Sequence, residues 1–134
     1  MTYDFKLSCS LPASPETIYE TWLDSKGHSA MTGGKATMSK KVGAEVSAWD
    51  GYITGKNIEL VKGRRIVQAW RTTQFSLADP DSVITVTLTL AKTGARLSLH
   101  HGKVPDGQTS YEKGGWQDHY FKPMKEYFAK KRAK

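Results

Sequence analysis

Four histidines, one cysteine and a cluster of bulky side chains with polar tips near the C-terminus carry what chemistry this chain has to offer. His28, His100, His101 and His119 do not show metal-ligand spacing. His100 and His101 are neighbours on a strand-like stretch and point to opposite faces, so one ion in regular geometry cannot reach both, and no metal site is assigned. His101 falls in step with Leu97 and Leu99 and so faces inward. There it serves either as a hydrogen-bonded core imidazole or as a group that orients a ligand or moves a proton. Trp116, Gln117 and Tyr120 are large groups with polar handles. Gln117 lies inside an otherwise apolar arc, and a buried amide needs partners from protein, water or a ligand. Cys9 points inward with Tyr3, Phe5 and Leu7 and reads as a small buried hydrophobe, because no adjacent basic residue or helix start lowers its pKa.

No inward carboxylate pair, Ser-His-Asp order, glycine-rich phosphate loop or nucleotide fingerprint can be placed. No catalytic residue and no cofactor is therefore assigned, and binding is expected rather than catalysis. The candidate ligand-binding residues are His101, Trp116, Gln117, Tyr120, Met124, Trp70 and Trp22. Apolar walls with a few convergent polar groups suit a small hydrophobic or amphipathic ligand. The pattern leaves the sheet face of Trp49 and Trp70 open, since strand register is not set by alternation alone.

These side chains need elements to hold them. Residues 109–131 read as one amphipathic helix: Trp116, Tyr120, Phe121, Met124, Tyr127 and Phe128 recur at steps that share a face at about 100° per residue. The face spans roughly 160°, wider than the ~100° stripe of a helix on a flat surface, so a concave partner is expected to grip it. Thr109 and Glu112 have capping-box spacing, Gly114 and Gly115 separate the first turn from the rest, and Pro123 predicts a bend. Upstream, Ser14-Pro15-Glu16 starts a short helix to about Leu23, and residues 24–34 read mostly as loop, with room for one helical turn.

From Lys35 onward the hydrophobic period is two. Strands are expected around Ala36 and Met38, around Val46 and Ala48, over 52–61 with a bulge or bend at Gly55, over 64–75, through Ile84, Val86, Leu88 and Leu90, and through Leu97, Leu99 and His101. Asp50-Gly51, Lys62-Gly63, Asp79-Pro80-Asp81 and Thr93-Gly94 mark the turns. No helix-length segment separates these strands, so the sheet is antiparallel and the class is α+β.

One domain fits 134 residues, with about 130–134 a basic, frayed tail. A single cysteine excludes an internal disulfide framework. No membrane span and no secretory leader is found, which points to a cytoplasmic protein. The net charge of +7 invites nucleic acid, yet four of the twenty basic residues, Lys130, Lys131, Arg132 and Lys134, crowd the last five positions. The others alternate with apolar residues along strands, without a nucleic-acid-binding motif, so no nucleic-acid partner is expected.

The run Trp49-Asp50-Gly51-Tyr52-Ile53-Thr54-Gly55, then Ile58-Glu59-Leu60-Val61 and Arg65-Ile66-Val67-Gln68-Ala69-Trp70-Arg71, resembles the C-terminal domain of the activator of the heat-shock protein 90 ATPase. Ile84-Thr85-Val86-Thr87-Leu88, His101-Gly102-Lys103-Val104-Pro105, Gly115-Trp116-Gln117 and Tyr120-Phe121 continue it in the family's order. The resemblance implies the START-like, birch-pollen-allergen-like (SRPBCC) superfamily and its helix-grip fold, a curved antiparallel sheet around a long C-terminal helix. It also implies a cavity, used by some superfamily members as cyclases or hydrolases, and heat-shock protein 90 as the alternative partner, with the chain as a chaperone cofactor in a stress response. The eukaryotic activator's N-terminal domain, which makes major contacts with the chaperone, has no counterpart in these 134 residues.

Overall fold

The computed structural model describes residues 1–133, with side chains through Lys131. Strand β1 (Thr2–Leu11) leads into helices α1 (Pro15–Trp22) and α2 (Ser25–Thr32). Strands β2 (Glu45–Ala48), β3 (Ile53–Val61), β4 (Arg65–Thr72), β5 (Ser82–Ala91) and β6 (Gly94–Pro105) follow as successive antiparallel neighbours. β1 pairs with β6, giving the sheet order β1-β6-β5-β4-β3-β2. Two π-helical turns, Tyr111–Gly115 and Gln117–Phe121, then run into α3 (Lys122–Ala133). This is the expected α+β helix-grip fold, a curved six-stranded sheet closed over the C-terminal helix.

Each element follows from local chemistry. The Ser14 hydroxyl accepts from the Thr17 N–H at 3.1 Å and Pro15 opens α1, so this helix starts where capping chemistry puts it. Residues 24–34 depart from the loop reading. Asp24 caps α2 by accepting the Gly27 N–H at 2.8 Å, and Gly33 ends it. The glycines masked two helical turns whose inner side buries His28 and Met31. Around Ala36 and Met38 no full strand forms, only a bridge between Thr37 and Ser47.

Gly55 is not a bulge. It pairs regularly with Val46 and Trp70, but a Cβ there would lie 1.9 Å from the Ala69 carbonyl oxygen, so the close approach of β3 to β4 demands glycine. The bulge of β3 lies at Ile58, between Asn57 and Glu59. A second irregularity sets Gly102 and Lys103 of β6 opposite Asp4. Leu90, expected inward, is 82 % exposed, because the strand leaves the core at its β5–β6 turn.

Ile66, Ile84, Val86, Leu97 and Leu99 form the sheet's buried face. Against it stand Phe121, Met124 and Phe128 of the gripping segment, with Ile18 and Trp22 of α1. Each such side chain contributes on the order of 1.5–3 kcal/mol on burial. α2 packs on α3, and α1 on β5 and β6. Residues 130–133, where the basic tail was expected to begin, are in α3, and Lys134 lies outside the described residues.

Gly55→Ala is expected to cost about 3 kcal/mol, the upper end for a forced fit, because backbone rather than a flexible side chain meets the new methyl. Leu90→Thr should stay within about 0.5 kcal/mol of the parent, and urea unfolding of the parent and both variants checks the two values.

Candidate functional site

The C-terminal segment begins badly for an α-helix and this shapes the site. The Thr109–Glu112 capping box does not form; the Glu112 carboxylate instead lies 2.9 Å from the Tyr3 hydroxyl, which is also 2.8 Å from the Gln108 carbonyl oxygen. Gly114 takes φ +134° and, with Lys113, kinks the first turn from within, so the regular helix begins only after it. In these turns the N–H of residue i+5 meets the carbonyl of residue i, as Trp116 does with Tyr111 and Lys122 with Gln117. Residues five apart therefore come onto one side. Tyr111, Trp116 and Phe121 have that spacing, and all three are buried. Pro123, which has no N–H to give, sits just past the widened stretch.

His101 and Trp116 meet where the helix starts against β6. The Trp116 indole N–H donates to His101 Nδ1 at 3.1 Å, and the other ring nitrogen, Nε2, lies 2.9 Å from the Ser82 hydroxyl. Nδ1 accepts, so Nε2 carries the proton and donates to Ser82, whose own hydrogen goes to the Trp70 carbonyl. His28 uses the opposite tautomer. Its Nδ1–H donates to the Trp22 carbonyl at 2.8 Å, and its Nε2 accepts the Tyr120 hydroxyl at 2.8 Å. Burial depresses both imidazoles, His28 to about 4 and His101 to about 3, the latter helped by His100. Burial likewise raises the Tyr120 phenol and pushes the Cys9 thiol up to about 11, as suits an inert core thiol.

A buried amide chain completes this framework. The Trp22 indole N–H donates to Gln68 Oε1 at 3.3 Å, and Gln68 Nε2 donates to Asn57 Oδ1 at 2.9 Å. Asn57 in turn donates to the carbonyls of Ser39 and Lys41.

An open cleft of about 520 Å³ lies between the β2–β3 turn and the π-helical segment. Its aromatic walls are Trp49, Tyr52, Trp70, Tyr111, Trp116 and Tyr120. Lys113, Asp118 and His119 bring charge or polarity. Trp49 has φ +52°, at the start of the turn continued by Asp50 and Gly51, and lies against Gly34, where any Cβ would fall 2.4 Å from the indole. Behind Ile53, Trp70 and Tyr120, toward Trp22 and His28, there is a void of only about 10 Å³.

Of the seven candidate ligand-binding residues, Trp70, Trp116 and Tyr120 line this cleft. Trp22 lines the small void, while His101 and Met124 are fully buried and line neither space. Gln117 lines neither; its Nε2 donates to the Glu112 carbonyl at 3.4 Å, and its buried Oε1 has no partner among the described residues. Pattern reading missed Trp49, Tyr52, Tyr111 and His28. The five-residue spacing of Tyr111, Trp116 and Phe121 was the available sign of a π-helical wall. Nothing local marked His28, whose partners lie 6 and 92 positions away.

A curved antiparallel sheet gripping a C-terminal helix, with an aromatic cleft at the helix start, defines a START-like helix-grip domain. The family described as Activator of Hsp90 ATPase homolog 1-like protein matches residues 12–129, and the chain belongs to it. The human Activator of 90 kDa heat shock protein ATPase homolog 1 is 29% identical over 117 residues, 86% of this chain and 34% of that protein. The chain thus spans about a third of the length of its curated relatives. The crystal structure of an HSP90 activator from Plasmodium falciparum superposes with a TM-score of 0.80 at 24% identity, over 90% of this chain and 91% of that one. The solution structure of the Aha1 dimer from Colwellia psychrerythraea gives a TM-score of 0.77 at 13% identity, over 93% and 95%. At these identities the structural likeness is one of fold. Among the described residues no helix is long and apolar enough to cross a membrane.

The histidine shifts have a definite sign. An unfolded imidazole titrates near 6.5, so between that value and the depressed folded values the unfolded chain holds protons the folded one lacks. Stability is full above about pH 6.5 and falls with acidification, approaching about 1.4 kcal/mol per pH unit for each histidine, toward about pH 4 for His28 and about pH 3 for His101. Urea unfolding from pH 7.5 to 4.5 should show this loss, and the curve of a His28→Gln variant should be flatter by one histidine's share.

Proposed function

We propose that this chain is a single-domain, non-catalytic binding module of the cytoplasm that holds a small hydrophobic or amphipathic molecule. The carrying observation is the contrast between an open, ring-walled cleft of about 520 Å³ and a void of about 10 Å³ beneath it. Clefts of about 300–1,000 Å³ with apolar walls and few polar groups are the usual form of small-molecule sites. The site is moved from the helix–sheet interior to the end of the sheet, because Phe121, Met124 and Phe128 occupy the interior. The buried free thiol of Cys9 suits a reducing compartment.

A second reading, a co-chaperone module acting on heat-shock protein 90, is favoured by the kinship to the human activator. The relation covers only a third of that protein, so this reading expects binding with weak or no stimulation of ATP turnover.

Titration with a fluorescent fatty acid or aromatic probe is expected to shift amide signals at Trp49, Tyr52, Lys113 and Trp116. Tyr52→Ala, at a partly exposed wall, should weaken the probe while changing stability by less than about 1 kcal/mol. Shifts confined to the outer sheet face at Lys6, Arg96 and Ser98 would move the site to that surface. Strong stimulation of a cognate heat-shock protein 90 ATPase by stoichiometric amounts of this chain would put the second reading first.

A further inference from the structure

We propose that the cleft selects a flat ring system bearing a carboxylate, an inference that rests on the small-molecule reading above. The rings set the shape. Trp70 and Trp116 lie 5.6 Å apart at 30°, and Trp116 and Tyr120 4.9 Å apart at 44°, so the wall offers broad faces suited to a planar guest.

The hydrogens set the polarity. Tyr52 donates to Gln74, Tyr111 to Gln108, Trp116 to His101 and Tyr120 to His28, so these four polar tips are committed within the protein. The Trp49 indole N–H is buried with no acceptor among the described residues. A buried donor left unpaired is costly, and such a group calls for a partner. His119, exposed and lining the same cleft, packs on the Trp49 ring with centroids 5.4 Å apart at 74°. Lys113 adds an exposed ammonium to the same cleft. An unpaired N–H and an ammonium together ask for an acceptor with negative charge. Asp118 is the opposing carboxylate, and the net charge of +7 tips the field toward anions.

The test titrates the whole chain at low salt with 2-naphthoate, 2-naphthylmethanol and 2-naphthylmethylamine, read by tryptophan fluorescence and amide shifts. Naphthoate is expected to bind tightest and the amine weakest. Lys113→Met should weaken naphthoate by about two- to fivefold, the range for one exposed ion pair, and the uncharged alcohol less; Trp49→Phe should weaken naphthoate more than the alcohol, whose hydroxyl also accepts from the indole. Asp118→Asn should tighten naphthoate. Trp49→Phe also removes indole atoms that pack on Gly34, so its urea midpoint should fall somewhat while amide shifts outside the cleft stay in place. Equal affinity for acid and alcohol, with shifts still in the cleft, overturns carboxylate selection and leaves the small-molecule reading standing. The same holds if the amine binds tightest. If none of the three probes shifts cleft residues, the small-molecule reading falls and this inference falls with it.

Discussion

Two neutral imidazoles tie the start of the C-terminal segment to the rest of the chain by hydrogen bonds, beside the apolar burial of Phe121, Met124 and Phe128. His101 joins β6 to the helix start through Trp116, and His28 joins α2 to the helix through Tyr120. Each ring donates once and accepts once inside the protein, so each tautomer is set by its neighbours. A second proton on either ring would face a donor or lose an acceptor. Burial of the same rings is what depresses their pKa values, so docking of the helix is tied to pH through the two groups that orient it.

The grip also explains where empty space is left. A helix with so broad an apolar face fills the concave side of a curved sheet, and large side chains from α1 and α2 take the remaining volume. The small void beside Trp22 and His28 is what survives. At the helix start the filling stops, because the Gly114 kink and the π-helical turns hold the backbone away from the β2–β3 turn. Tyr111 and Trp116 have their polar atoms tied inward while their rings face the opening. The cleft is the place where the grip is incomplete.

Kinship and geometry speak to different questions here. Membership in the activator family covers residues 12–129 and so takes in nearly every element described. The curated mammalian activators are about three times the matched length, so their activity is stated of those proteins and not of this chain. The cleft is a property of this chain's own side chains, independent of whether a chaperone is also bound.

Much of the fold was legible along the chain because it depends on short-range periodicity. Alternation located β1, β3, β4, β5 and β6, the Ser14-Pro15 pair located α1, and the six apolar residues from Trp116 to Phe128 located the gripping helix. The inward turn of His101 followed from its step with Leu97 and Leu99. Where glycine outweighed pattern the reading slipped: α2 was hidden behind Gly27 and Gly33, and Gly55 was taken for a bend when it makes room for the Ala69 carbonyl. The cleft was less legible, since Trp49 comes from a turn, Tyr111 from a π-helical step of five, and His28 finds Tyr120 across 92 residues. Local sequence determined which residues face the core, because periodicity is a property of one segment. Only the tertiary structure decided which of them meet, and that the open space lies at the end of the sheet rather than inside it, because packing depends on the volumes of side chains brought together from distant segments.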